Sequence, residues 1–130
     1  MTEKERSFEI GKRLKQLREE KNLSHVMLAK ELEKRYGVKI SRNSLMNYEI
    51  REDFHSKSDK LSNLHMGADY LAYLADFYGV STDYLLARSN IRSANPDIQA
   101  AVRYTGLSEK TIKSLRQAKK EFVLLREGFS

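Results

Sequence analysis

The sequence contains no cysteine, one proline and three scattered histidines among its 130 residues. The first absence removes disulfides, thiolate metal sites and cysteine nucleophiles together. His25, His55 and His65 lack the close pairwise spacing of a zinc site, so no metal and no other cofactor is expected. Proline breaks helices, and its scarcity favours a helical chain. No apolar run approaches the about 18 residues that a membrane-spanning helix needs. Residues 1–15 alternate acidic and basic side chains where a signal peptide would carry an unbroken apolar stretch. A cytoplasmic protein with no membrane partner is the expectation.

What is present fits a small folded protein. Hydrophobic residues make up 40% and charged residues 32%, too apolar for a disordered chain, and the length suits one or two small modules. Lys and Arg number 24 against 18 Asp and Glu, a net charge of +6. Residues 1–50 hold 12 basic and 8 acidic side chains, 51–90 hold 4 and 6, and 91–130 hold 8 and 4, so two basic segments flank an acidic one. Basic side chains release condensed counterions from phosphate and gain affinity for any nucleic acid. The charge therefore tilts toward such a partner without singling it out.

Three glycines punctuate the chain in similar settings: Tyr36-Gly37-Val38, Tyr78-Gly79-Val80 and Tyr104-Thr105-Gly106-Leu107. In the last two a serine follows, Ser81 or Ser108, so each reads as a helix end, a left-handed glycine, an apolar plug and the cap of a new helix. Helical periodicity fits between these marks. Ile10, Leu14 and Leu17 define a first helix. Leu28, Ala29, Leu32 and Tyr36 define a second, capped by Ser24, and Leu45 and Tyr48 a short third, capped by Ser41. Leu71, Leu74, Ala75 and Tyr78 give a fourth, and Tyr84 and Leu85 a fifth. No strand pattern of useful length occurs. Residues 51–66 have no helical stripe and predict a long loop of the kind that is usually functional or mobile. Residues 89–95 predict a linker. Beyond it Pro96 suits the first turn of a helix capped by Asn95 and running to Tyr104, and Ser108 caps a longer helix to about Arg126.

Residues 10–24, Leu28-Ala29, Ser44-Leu45-Met46-Asn47-Tyr48-Glu49, Leu71-Ala72-Tyr73-Leu74-Ala75 and the run GVSTDYLL at 79–86, in that order, resemble the Cro/cI-type helix-turn-helix family, also called XRE. The resemblance spans residues 8–88 and extends to repressors of phage and mobile elements. One departure stands out: Ala29 precedes Leu45 by sixteen positions, where the family's helix-turn-helix spaces the equivalent pair by about ten. The extra residues extend the second helix through Glu33-Lys34-Arg35-Tyr36 and the turn through Lys39-Ile40.

The resemblance implies an all-α fold: a five-helix lambda-repressor-like DNA-binding domain over 1–88, the linker 89–95, and a C-terminal helical hairpin over 96–130. It implies a helix in the major groove that begins near Arg42, with Arg42, Asn43, Ser44 and Asn47 on its solvent face. Arginine suits guanine and asparagine suits adenine as bidentate partners, although the same residues also fit a solvated face. Ser24, Ser41 and His25 fall where the family meets the phosphate backbone, and each also reads as a plain cap or first-turn residue. Lys57 and Lys60 could track the backbone from the long loop, or keep it soluble. Arg18 and Glu49 occupy the positions of an ion pair that ties the first helix to the end of the recognition helix.

The last forty residues allow two readings. Val102, Gly106, Leu107, Ile112 and Leu115 have a helix-turn-helix spacing of their own within a basic segment. Against this, Leu115, Ala118, Phe122, Leu125 and Phe129 form a short heptad seam, with Leu115, Phe122 and Leu125 as dimerisation candidates. Self-association, or attachment of a regulatory protein partner, ranks above a second DNA reader. The expected function is a sequence-specific transcriptional regulator, a repressor that binds double-stranded DNA at a palindromic operator as a homodimer. The alternative is an antitoxin or regulator antagonist that uses the same fold as a protein-interaction module. No phosphate-binding glycine loop, metal spacing or converging acid and base supports an enzyme, and the Ser–Lys autoproteolytic domain of some repressors has no room.

Overall fold

Local signals in the sequence set the helix ends. The computed structural model describes residues 1–49 and 62–128. Helix α1 (Glu3–Glu20) starts where the Thr2 side chain accepts from the Glu5 N–H at 3.1 Å. Helix α2 (His25–Tyr36) is capped by Ser24, whose Oγ accepts from Met27 N–H, and ends at Gly37 in the left-handed region, φ 69°. Helix α3 (Arg42–Tyr48) is capped by Ser41, and a short 3-10 turn (Ser62–His65) precedes helix α4 (Ala68–Tyr78). Gly79, φ 67°, ends α4 and lets its own N–H reach back to the Asp76 carbonyl. Only glycine enters that region without steric cost. Two residues later Ser81 caps helix α5 (Thr82–Leu85). Helix α6 (Pro96–Thr105) is capped by Asn95 with proline in its first turn, and helix α7 (Glu109–Gly128) follows Ser108, whose Oγ accepts from Thr111 N–H. All regular structure among the described residues is helical, and none of these helices is long and apolar enough to cross a membrane.

The chain divides into two compact units, residues 1–90 and 91–130, and the division falls inside the segment expected as a linker. In the first unit the apolar stripes converge on one core. Ile10, Leu14 and Leu17 of α1, Leu28 and Leu32 of α2, Leu45 of α3, Leu74 and Phe77 of α4 and Leu85 of α5 are all buried. Four of the helix-spaced residues, Ile10, Leu28, Leu32 and Leu85, are the largest fully buried side chains. Removing such contacts by truncation to alanine costs about 2–5 kcal/mol per site. In the second unit α6 and α7 pack on each other, and Ile98 and Ile112 are buried.

Candidate nucleic-acid interface

Helix α3 is only seven residues long, too short to hold its shape without tertiary anchors. Leu45, 2% exposed, and the half-buried Tyr48 turn inward. Arg42, Asn43, Met46 and Asn47 are exposed. Arg42 and Met46, and likewise Asn43 and Asn47, stand four positions apart and so form two neighbouring ridges on the outer face. Ser44 is half-buried and accepts a hydrogen bond from Ser41 Oγ at 3.0 Å, while its N–H bonds Ser41 Oγ at 3.1 Å. Ser24 and Ser41, both exposed, act as caps.

The end of α3 is fixed by charge. Glu49, with only 8% of its surface exposed, accepts from Arg18 Nε at 2.8 Å and from Arg18 Nη2 at 3.0 Å, a forked pair. The hydrogen bonds from Arg18 to Glu49 raise the guanidinium's pKa, so Arg18 stays charged although largely enclosed. Its third nitrogen, Nη1, donates to the Leu23 carbonyl at 2.7 Å and so holds the turn between α1 and α2. His25, expected near phosphate, brings Nε2 to 2.9 Å from Glu49 Oε2. A carboxylate only accepts, so Nε2 carries the proton and donates. Three elements therefore meet on one carboxylate: the end of α1, the start of α2 and the end of α3.

Two further polar anchors were not legible as functional in the sequence. Asn63, in the 3-10 turn, is buried; its Oδ1 accepts from Ser7 Oγ at 2.7 Å, and its Nδ2 donates to the carbonyls of Ser7 at 2.8 Å and Tyr48 at 3.1 Å. It clamps the last residue of α3 to α1. Arg13, also buried, donates through Nη1 to the carbonyls of Tyr84 and Ser89, both at 2.6 Å, and through Nη2 to Asn90 Oδ1 at 2.7 Å, while its guanidinium lies 4.4 Å from the Tyr84 ring centroid. Tyr48 lies 15 positions from Asn63 and the other partners 56 or more positions away, beyond the reach of any local pattern.

Lys57 and Lys60 lie outside the described residues. Leu115, Phe122 and Leu125 of α7 are exposed by 55%, 63% and 72%. No group of histidines and carboxylates among the described residues could hold a metal ion. No family model matches the chain, and neither a curated protein nor a solved structure matches it.

Proposed function

We propose that this chain is a sequence-specific DNA-binding regulator of the Cro/cI helix-turn-helix type, its first unit a five-helix lambda-repressor-like domain, acting as a repressor that binds a palindromic operator as a dimer. The observation that carries the reading is the asymmetry of α3. Its inner face and its end are fixed by Leu45, the Arg18–Glu49–His25 cluster and Asn63, while its outer face presents an arginine and two asparagines to solvent. A short helix held so firmly from behind is suited to enter a groove as a rigid edge. Arg42, Asn43 and Asn47 read base edges in the major groove, and Ser24, Ser41 and Ser44 lie at its margin toward phosphate. His25 acts from behind, by positioning Glu49.

Selection of bound fragments from random DNA, followed by mobility-shift titration, tests this. Arg42→Ala and Asn47→Ala should each cost about 1–3 kcal/mol on the selected site while nearly sparing non-specific binding. Affinity should fall steeply with salt. Wild-type affinity in both variants, or binding indifferent to salt, would sink the proposal.

A further inference from the structure

Helix α6 has 10 residues and α7 has 20, lengths of about 15 and 30 Å at the rise of an α-helix. The second half of α7 therefore extends past what α6 can cover. Ile112, near the start of α7, is buried, but every residue from 113 to 126 is exposed. That half is nevertheless apolar on one side: Leu115, Ala118, Phe122 and Leu125 follow one another at spacings of 3, 4 and 3. With Leu115 and Phe122 as heptad positions a, Ala118 and Leu125 are positions d, Lys119 and Arg126 are e, and Glu121 is g.

These flanking charges select the occupant of the seam. In a parallel, in-register pair, position g of one helix faces the e position five residues further along the other. Glu121 then meets Arg126 of the partner subunit, and by symmetry the bond is made twice. In an antiparallel pair g faces g and e faces e. Layering Leu115 on Leu125 of the partner subunit would set Glu121 against Glu121 of the partner subunit and Lys119 against Lys119 of the partner subunit. The first arrangement makes two attractive contacts and the second makes two repulsive ones. We propose that the exposed half of α7 is a self-association surface that takes the same half of a second copy, parallel and in register, as a two-stranded coiled coil. It rests on the reading of the protein as a dimer and supplies the contact. Two heptads alone bind weakly, so the pairing strengthens when two first units already share one operator and hold their α7 helices at high local concentration.

The absence of cysteine gives a direct test, since an introduced thiol is the only one in the chain. Residues at position d of a parallel pair face their own counterparts, within reach of the about 4.4–6.8 Å between Cα atoms that a disulfide requires. Full-length Leu125→Cys and Ala118→Cys should each form a covalent dimer under mild oxidation, about ten-fold faster than Lys120→Cys, whose residue lies on the outer face. Glu121→Arg should slow the cross-linking of Leu125→Cys, and adding Arg126→Glu should restore it. Cross-linking confined to mixtures of Leu115→Cys with Leu125→Cys chains would mean antiparallel pairing and overturn the proposal. So would a Leu125→Cys rate no greater than that of Lys120→Cys, or failure of Arg126→Glu to restore it. Light scattering of the unaltered chain separates the two readings. A two-copy mass with slow cross-linking leaves the dimer standing on some other surface, whereas a one-copy mass both free and on the operator removes the dimer itself. A mass of three or more copies overturns the two-stranded form.

Discussion

Glu49 accepts from two nitrogens of Arg18 and one of His25 while almost wholly buried, so its carboxylate cannot be removed without leaving three donor nitrogens enclosed and unmatched. Glu49→Ala should therefore destabilise the first unit by about 3–5 kcal/mol, whereas replacing Arg18 and Glu49 together by apolar residues of similar size should cost far less. A double-mutant cycle in urea should give a coupling above about 1 kcal/mol; less than half of that would mean that the pair contributes as an exposed one does. DNA affinity should fall with Glu49→Ala although that residue faces no base, because the end of α3 loosens. Beside this cluster, burial pushes the Tyr78 hydroxyl well above its usual range, with the nearby Glu49 charge adding to the effect. The folded state thus holds that proton more tightly than the unfolded one. The resulting stability is complete below the ordinary tyrosine value of about 10 and is lost as pH rises above it. Urea midpoints at about pH 8 and pH 11 should therefore separate more in the wild type than in Tyr78→Phe; an equal separation would assign the alkaline limb to another group. The Arg18–Glu49 partnership was available in advance only through the family resemblance, because 31 positions separate the two residues. The place of His25 on the same carboxylate was not available, since a first-turn histidine looks alike whether it faces phosphate or a neighbouring helix.

Helix boundaries were the most legible feature, for a physical reason. Each depends on a few adjacent residues: Ser24, Ser41, Ser81 and Asn95 satisfy orphan N–H groups within three positions, and Gly37, Gly79 and Gly106 supply positive φ at the ends of α2, α4 and α6. The joints between helices depend on long-range polar contacts and, Arg18–Glu49 apart, were not legible. Asn63 is the clearest case, since nothing local distinguishes it from the loop formers around it. Asn63→Ala would strand the Ser7 hydroxyl and the Tyr48 carbonyl, at about 1–3 kcal/mol for each buried group left unpaired. The expected result is a lower urea midpoint together with weaker binding to a selected DNA site. A variant with unchanged stability would show that water replaces the amide.

At the scale of the whole molecule, the two units invite separation, and Arg13 decides where the cut belongs. The sequence suggests a boundary at residue 88, yet the buried guanidinium is satisfied by the Ser89 carbonyl and the Asn90 side chain as well as by Tyr84. A chain ending at Asn90 should unfold in one cooperative step, and one ending at Arg88 should be less stable by about 1–3 kcal/mol. Equal melting of the two would show that solvent serves Arg13 as well as residues 89 and 90 do. The same contact orders events on the ribosome. Helix α1 is made early, but its arginine waits for partners more than 70 positions downstream, so the buried guanidinium is fully matched only once Asn90 emerges. A nascent chain therefore carries an incompletely matched arginine in α1 while α2 to α5 are made, and the full stability of the first unit arrives last, with residues 89 and 90.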